Sequence, residues 1–190
     1  MLHGMSLTPL GAVLRGAVAG AVGTVAMDAV WYARYRRGGG DKDVLAWEFG
    51  LDVQSWDQAP APAQLGRRLF EAVTRRELPV AKAALVNNVM HWGYGIAAGS
   101  QFGLLAGSLR GLPRGAQVAL GLPFGATVWG SSYVTLPVAG LYKPIWEYDP
   151  PTLAKDLSIH LVYGVTTAAA FRVLAGPAEA PDEDPDQDVH

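Results

Sequence analysis

Asp28, Asn87, His91, Asp156 and His160 set titratable or strongly polar side chains inside largely apolar stretches. Aspartate and imidazole in such surroundings can do three kinds of work. They can fix helix register through hydrogen bonds. They can pass protons, because histidine changes charge near neutral pH. The imidazoles can also ligate a metal or a haem iron. Two histidines without a further signature leave that last chemistry open and assign no cofactor. Ser131 and Ser132 stand near aromatic residues, but nothing marks a nucleophile–base pair, so no catalytic residue is assigned and no enzyme is indicated.

These residues ride on hydrophobic segments. Ala83–Leu109 and Gly115–Tyr142 hold no charged residue, and a helix needs about 20 predominantly apolar residues to cross a bilayer core. Two less clean segments, Leu10–Ala33 and Thr152–Leu174, flank them. The expectation is an all-α fold, a bundle of four transmembrane helices over about 10–33, 83–108, 116–141 and 152–174, forming one domain from 1 to 175. Pro123 and Pro137 should kink the third span, a fault that membrane helices tolerate.

Only 17% of residues are charged, below the roughly 25% of soluble domains. The competing reading is a soluble all-helical protein with buried central helices. With no cysteine, disulfides, thiolate catalysis and cysteine-held metals are excluded. A net charge of −2 gives no basic face for nucleic acid. The expected partner is the lipid bilayer, with a second copy of the chain or another membrane protein left open.

The N-terminus lacks a basic leader region, and its apolar run ends at Trp31-Tyr32 before Arg34, Arg36 and Arg37. An aromatic belt followed by basic anchors describes a retained span rather than a cleaved signal. Gly38-Gly39-Gly40 should stop that helix. In the connection that follows, Ala59-Pro60-Ala61-Pro62 reads as extended linker and Gln64–Leu78 as an amphipathic helix. Its apolar face is Leu65, Leu69, Phe70 and Val73; it either packs on the bundle or lies among headgroups. Asp149-Pro150-Pro151-Thr152 is a helix start, and Gly176–His190 an acidic, proline-rich tail expected to be disordered. No repeat of 20–50 residues is evident.

Small residues recur at every fourth position. The first span has Ala12, Gly16, Gly20 and Thr24 before Asp28; the second has Asn87, His91, Gly95, Gly99, Gly103 and Gly107; the fourth has Asp156, His160, Gly164 and Ala168. Lipid gives no hydrophobic drive for helix association, so small residues act by letting backbones approach. The glycines Gly16, Gly20, Gly95, Gly99, Gly103, Gly107 and Gly164 are therefore assigned to helix packing. The polar ends of the three stripes meet at one face, where Asp28, His91 and His160 should form one cluster with Asn87 and Asp156, near Tyr133 and Thr135.

In a four-span arrangement, eleven of the fifteen basic residues fall on the side of the first and third connections. Basic residues favour the cytoplasm, which places both termini outside.

Three short runs carry a resemblance: Val89-Met90-His91-Trp92-Gly93-Tyr94-Gly95, Leu136–Glu147 with its Pro137, Gly140, Pro144 and Trp146, and His160-Leu161-Val162-Tyr163-Gly164. They look like a group of small uncharacterised bacterial multi-pass membrane proteins. More remotely, the region from the third span to the fourth is similar to the YagU-like inner-membrane proteins. The resemblance implies four spans and an inner-membrane location, and it implies no reaction. The function expected is that of a small structural or accessory membrane component, with a proton-linked transporter or channel and a haem- or metal-binding protein as alternatives.

Overall fold

The computed structural model describes residues 7–109 and 111–176, and among these no strand occurs. The acidic tail lies, from residue 177 on, outside the described residues, as does Arg110 of the sidedness count. Seven helices follow in order: α1 (Pro9–Arg37), α2 (Val44–Phe49), α3 (Ala61–Thr74), α4 (Ala83–Ser108), α5 (Arg114–Ala119), α6 (Gly121–Val138) and α7 (Pro150–Ala175).

Local chemistry sets the ends. Thr8 caps α1 by accepting from Gly11 N–H, with Pro9 in the first turn, where its missing donor costs nothing. The helix runs on through Arg34–Arg37, past the apolar stretch, because cations in a last turn suit the dipole. It stops at Gly38, and Gly39 takes φ 91°, a conformation open to glycine. Asp149 caps α7 through Thr152 N–H and Thr152 O–H, at 2.9 and 2.7 Å. The hydrogen bonds from Thr152 hold its carboxyl below the ordinary carboxylate range.

Two expectations need correction. Ala59–Pro62 is not all linker: α3 opens at Ala61 with Pro62 in its first turn and ends at Arg75, which is left-handed with φ 57°. The third expected span is not one kinked helix but two pieces, α5 and α6, joined at Leu120. Proline clashes with the carbonyl of the residue four before it. For Pro123 that residue is Ala119, where α5 ends. Pro137 sits in the last turn of α6, where it breaks little.

α1 packs along its length on both α4 and α7, and α6 packs on α7. Glycine makes the first of these contacts possible. A Cβ on Gly16 would lie 2.9 Å from Gly103 Cα, one on Gly20 2.9 Å from Gly99 Cα, and one on Gly95 would strike Thr24 Oγ1. A Cβ on Gly107 would lie 3.2 Å from Ala12 Cβ. The α6–α7 seam has the same character: a Cβ on Gly164 would come 2.8 Å from Gly125 Cα and against Gly121 O. Gly121 and Gly125 show no stripe in the sequence, since Gln117 and Trp129 occupy the adjoining fourth positions.

Arginines hold α1 to α7 at both ends. Arg15 Nε donates to Leu174 O at 3.0 Å, and Arg34 donates to Ser158 Oγ at 2.8 Å and to Lys155 O at 3.0 Å. The interior is small and aromatic, with Ala19, Phe102, Ala168 and Phe171 towards one end and Met27, Val128, Ile159 and Tyr163 towards the other. Branched aliphatics face outward: Leu10, Leu14, Val18, Val22 and Val25 on α1, Leu85, Val89 and Leu105 on α4, Val134 and Val138 on α6.

α1 and α7 are long and apolar enough to cross a membrane, with mean hydropathy 1.6 and 1.4. α4 and α6, richer in polar, glycine and aromatic residues, fall short of that hydropathy. α3 rests its small residues, Ala63 and Gly66, on α4, where a Cβ on Gly66 would meet Met90 Cγ at 2.6 Å. Its larger apolar residues Leu69, Phe70 and Val73 stay exposed. Arg67 pairs with Glu71 at 3.2 Å, and Glu71 accepts from Leu78 N–H, which pulls its carboxyl below the usual value.

Candidate functional site

α4 and α6 barely meet. Phe102 lies on Phe124 with ring centroids 4.7 Å apart, and Tyr94 Oη is 2.6 Å from Ser131 Oγ. Towards the end of the bundle where Asp28 of α1 and Asp156 of α7 lie, α4 and α6 part around a cavity of about 310 Å³. α1 and α7 form its back wall with Met27, Trp31, Ile159 and Tyr163, and α3 covers it with Pro62 and Leu65. Most of the lining is apolar; His91, His160, Asp156, Ser132 and Thr135 interrupt it.

Two Asp–His pairs stand here in place of the single cluster expected. On one side His91 Nε2 lies 2.9 Å from Asp28 Oδ1, joining α4 to α1. An ionised carboxylate only accepts, so Nε2 is the donor. On the other side His160 Nδ1 lies 2.9 Å from Asp156 O, and 3.6 Å from Asp156 Oδ1. A backbone carbonyl can only accept, so Nδ1 carries the proton and Nε2 is left as the basic nitrogen. Asp156 Oδ2 is held by Trp129 Nε1 at 3.1 Å and by Tyr133 O–H at 3.0 Å.

Both histidines border the α4–α6 cavity, whereas Asp28 does not; it borders a neighbouring cavity, as do Asn87 and His91. Helix geometry explains the separation. Met27 and Trp31 face the histidine cavity, and the residue after Met27 points about 100° further round the helix. Asn88 borders the neighbouring cavity too and donates to Glu48 O at 3.1 Å and Ala84 O at 3.0 Å.

Sequence reasoning missed Trp129, the second donor to Asp156, and Tyr142, whose ring packs at a tilt on Tyr133, centroids 5.6 Å apart, beside the cavity. Tyr142 lies in the connection after α6. Burial pushes its phenol up, and Asp156 and Tyr148 add to that shift, so it remains a neutral hydroxyl. A signal for the pairing was present. Asn87, His91, Tyr94, Gly95 and Gly99 recur in the same register as Asp156, His160, Tyr163, Gly164 and Ala168. The recurrence joins one helix of each tight pair, α1–α4 and α6–α7. It is short and its two connections are unlike, so it forms no longer repeat.

Among the described residues no group of three or more His, Asp or Glu side chains comes together to hold a metal. His91 Nε2, the nitrogen an axial haem ligand uses most often, is engaged by Asp28. The site offers proton-accepting groups on a largely apolar wall, each fixed by its own carboxylate-bearing neighbour. Comparison of the chain with protein-family models, curated proteins and solved structures finds no match.

Proposed function

We propose that the chain is a four-span protein of the bacterial inner membrane that binds a small, partly apolar solute between α4 and α6, with protons moving on His91 and His160 as the site fills and empties. The spans are α1, α4, α5 together with α6, and α7, with both termini outside. The outward aliphatic residues and the glycine seams within support this, because water rewards the opposite arrangement and lipid does not. α3, resting on α4 with Leu69, Phe70 and Val73 uncovered, suits the headgroup layer. The likeness to YagU-like inner-membrane proteins belongs to this reading.

One observation carries the solute site: a single cavity borders both histidines, each hydrogen-bonded by a partner that orients its ring. A purely structural or accessory bundle accounts for the glycine seams. It gives no reason to part α4 from α6 over two imidazoles, since ionisable groups at membrane depth are costly. The test is proton movement in liposomes holding purified protein and an internal pH dye, challenged with amino acids, sugars and small organic acids. At least one solute should acidify or alkalinise the lumen, and His160→Ala should abolish the response. Silence across the panel, or responses that His160→Ala leaves intact, would return the protein to the accessory class.

A further inference from the structure

A second cavity, of about 400 Å³, lies on the far side of His91, between α1, α4 and the segment carrying α2. Two buried oxygens beside it have no partner in the protein: Asp28 Oδ2 and Asn87 Oδ1. Both residues border the cavity. Asp28 Oδ1 is already used by His91 at 2.9 Å, so Oδ2 is the free half of a carboxylate. Trp47 and Tyr35 also border it, ring centroids 6.2 Å apart, with Tyr32 packed 5.4 Å from Trp47 and Gly40 packed on the Tyr35 ring. Glu48 adds a second carboxylate, anchored where Oε1 accepts from Trp92 Nε1 at 3.0 Å. The imidazole of His91 and the exposed Lys42 also border the space.

We infer that this cavity binds a primary ammonium group, with Asp28 Oδ2 and Asn87 Oδ1 accepting its N–H bonds and the Trp47 and Tyr35 rings facing its charge. The free groups are acceptors, so the ligand brings donors. Two carboxylates and two aromatic side chains in the lining favour a cation over an anion. A quaternary ammonium meets the rings and leaves both oxygens unpaired, so a primary amine is the better fit. Water fills the hydrogen bonds but gives the rings and carboxylates no charge. The same headgroup chemistry belongs to a free alkylamine and to the ethanolamine end of a phospholipid. The inference rests on this second cavity and is independent of proton movement at His160.

The test is isothermal titration of the full chain, in maltoside detergent, with ethylammonium chloride. Saturable binding is expected, at least tenfold tighter than for tetramethylammonium. Asn87→Leu should weaken it at least tenfold, Trp47→Leu severalfold, and Asn87→Asp, which keeps an oxygen in place, should retain it. His160→Ala should leave it unchanged, which separates this site from the α4–α6 cavity. Repeating the titration in nanodiscs distinguishes the sources. Weaker ethylammonium binding when phosphatidylethanolamine is added to phosphatidylcholine assigns the lipid headgroup, and equal binding in both assigns a free amine. No saturable binding in detergent or in phosphatidylcholine discs would overturn the inference. So would tetramethylammonium binding as tightly as ethylammonium, or indifference to Asn87→Leu in a variant that melts like the parent.

Discussion

Tyr163 donates its phenolic O–H to the backbone carbonyl of Gly95, 2.6 Å away, in the buried centre of the bundle. A side chain reaches a carbonyl inside a helix only where the neighbouring surface is bare, and the glycines of α4 leave it so. A buried neutral hydrogen bond contributes about 0.5–1.5 kcal/mol net. Tyr163→Phe keeps the ring against Phe124 and removes only the hydroxyl. Its stability in detergent should fall by that modest amount, read as a lower melting temperature, and an unchanged value would mean that the hydroxyl contributes nothing.

The glycine seam makes a sharper contrast. A Cβ on Gly99 would sit 2.5 Å from Gly20 Cα, whereas one on Gly93, in the same helix, meets nothing within 4 Å. Gly99→Ala should therefore destabilise by forcing α1 from α4. Gly93→Ala should be neutral or gain up to about 1 kcal/mol from helix propensity. Equal melting of the two variants would remove the close-approach argument.

Asp28 and His91 should be energetically coupled, and Asp28 and His160 should not. Residues sharing a hydrogen bond show interaction energies of about 0.5–3 kcal/mol in a double-mutant cycle, while separated residues add within about 0.5 kcal/mol. Cycles of Asp28→Ala with His91→Ala and with His160→Ala, read by chemical denaturation, test both. Strong coupling of Asp28 to His160 would contradict the two-pair arrangement.

Sidedness is open to labelling in a chain without cysteine. Asp52 and Gly111 are both exposed, one before α3 and one between α4 and α5. With both termini outside, Gly111→Cys should react with an impermeant maleimide in intact cells, and Asp52→Cys only after lysis. The reverse pattern would invert the topology.

Asp149 offers a pH test. Its carboxyl is held below its ordinary value in the folded chain, so its stabilising effect is present above the unfolded pKa and is lost as pH falls through the folded one. Asp149→Ala should melt lower than the parent at neutral pH, with the gap closing in acid. A gap that does not change with pH would assign the effect to packing.

Much of this was legible because it is local. Uncharged runs marked α4 and the region of α5 and α6, the Gly38–Gly40 run marked the end of α1, and Asp149-Pro150-Pro151 marked the start of α7. What escaped depended on rotation and on proline's indirect reach. Pro123 acts one turn upstream of itself, so the break at Leu120 is invisible at Leu120. Pro60 and Pro62 read as linker, although proline in a first turn is a helix opener. Which aspartate meets which histidine turns on how α1 is rotated about its axis, and an i+4 stripe shows a face without saying what lies opposite.

The arginine clips between α1 and α7 have a mechanical consequence. The bundle is built like a book: α1 and α7 are the spine, stitched at head and foot by Arg34 and Arg15, and α4 and α6 are the fore-edges. Each cover is held close to the spine by its own glycines. The clasp is slight: one Tyr94–Ser131 hydrogen bond, one pair of phenyl rings, and Arg68 of α3 reaching the Ala139 carbonyl at the end of α6. The solute of the proposed function would have to undo that clasp to enter, while the stitched spine stayed closed behind it.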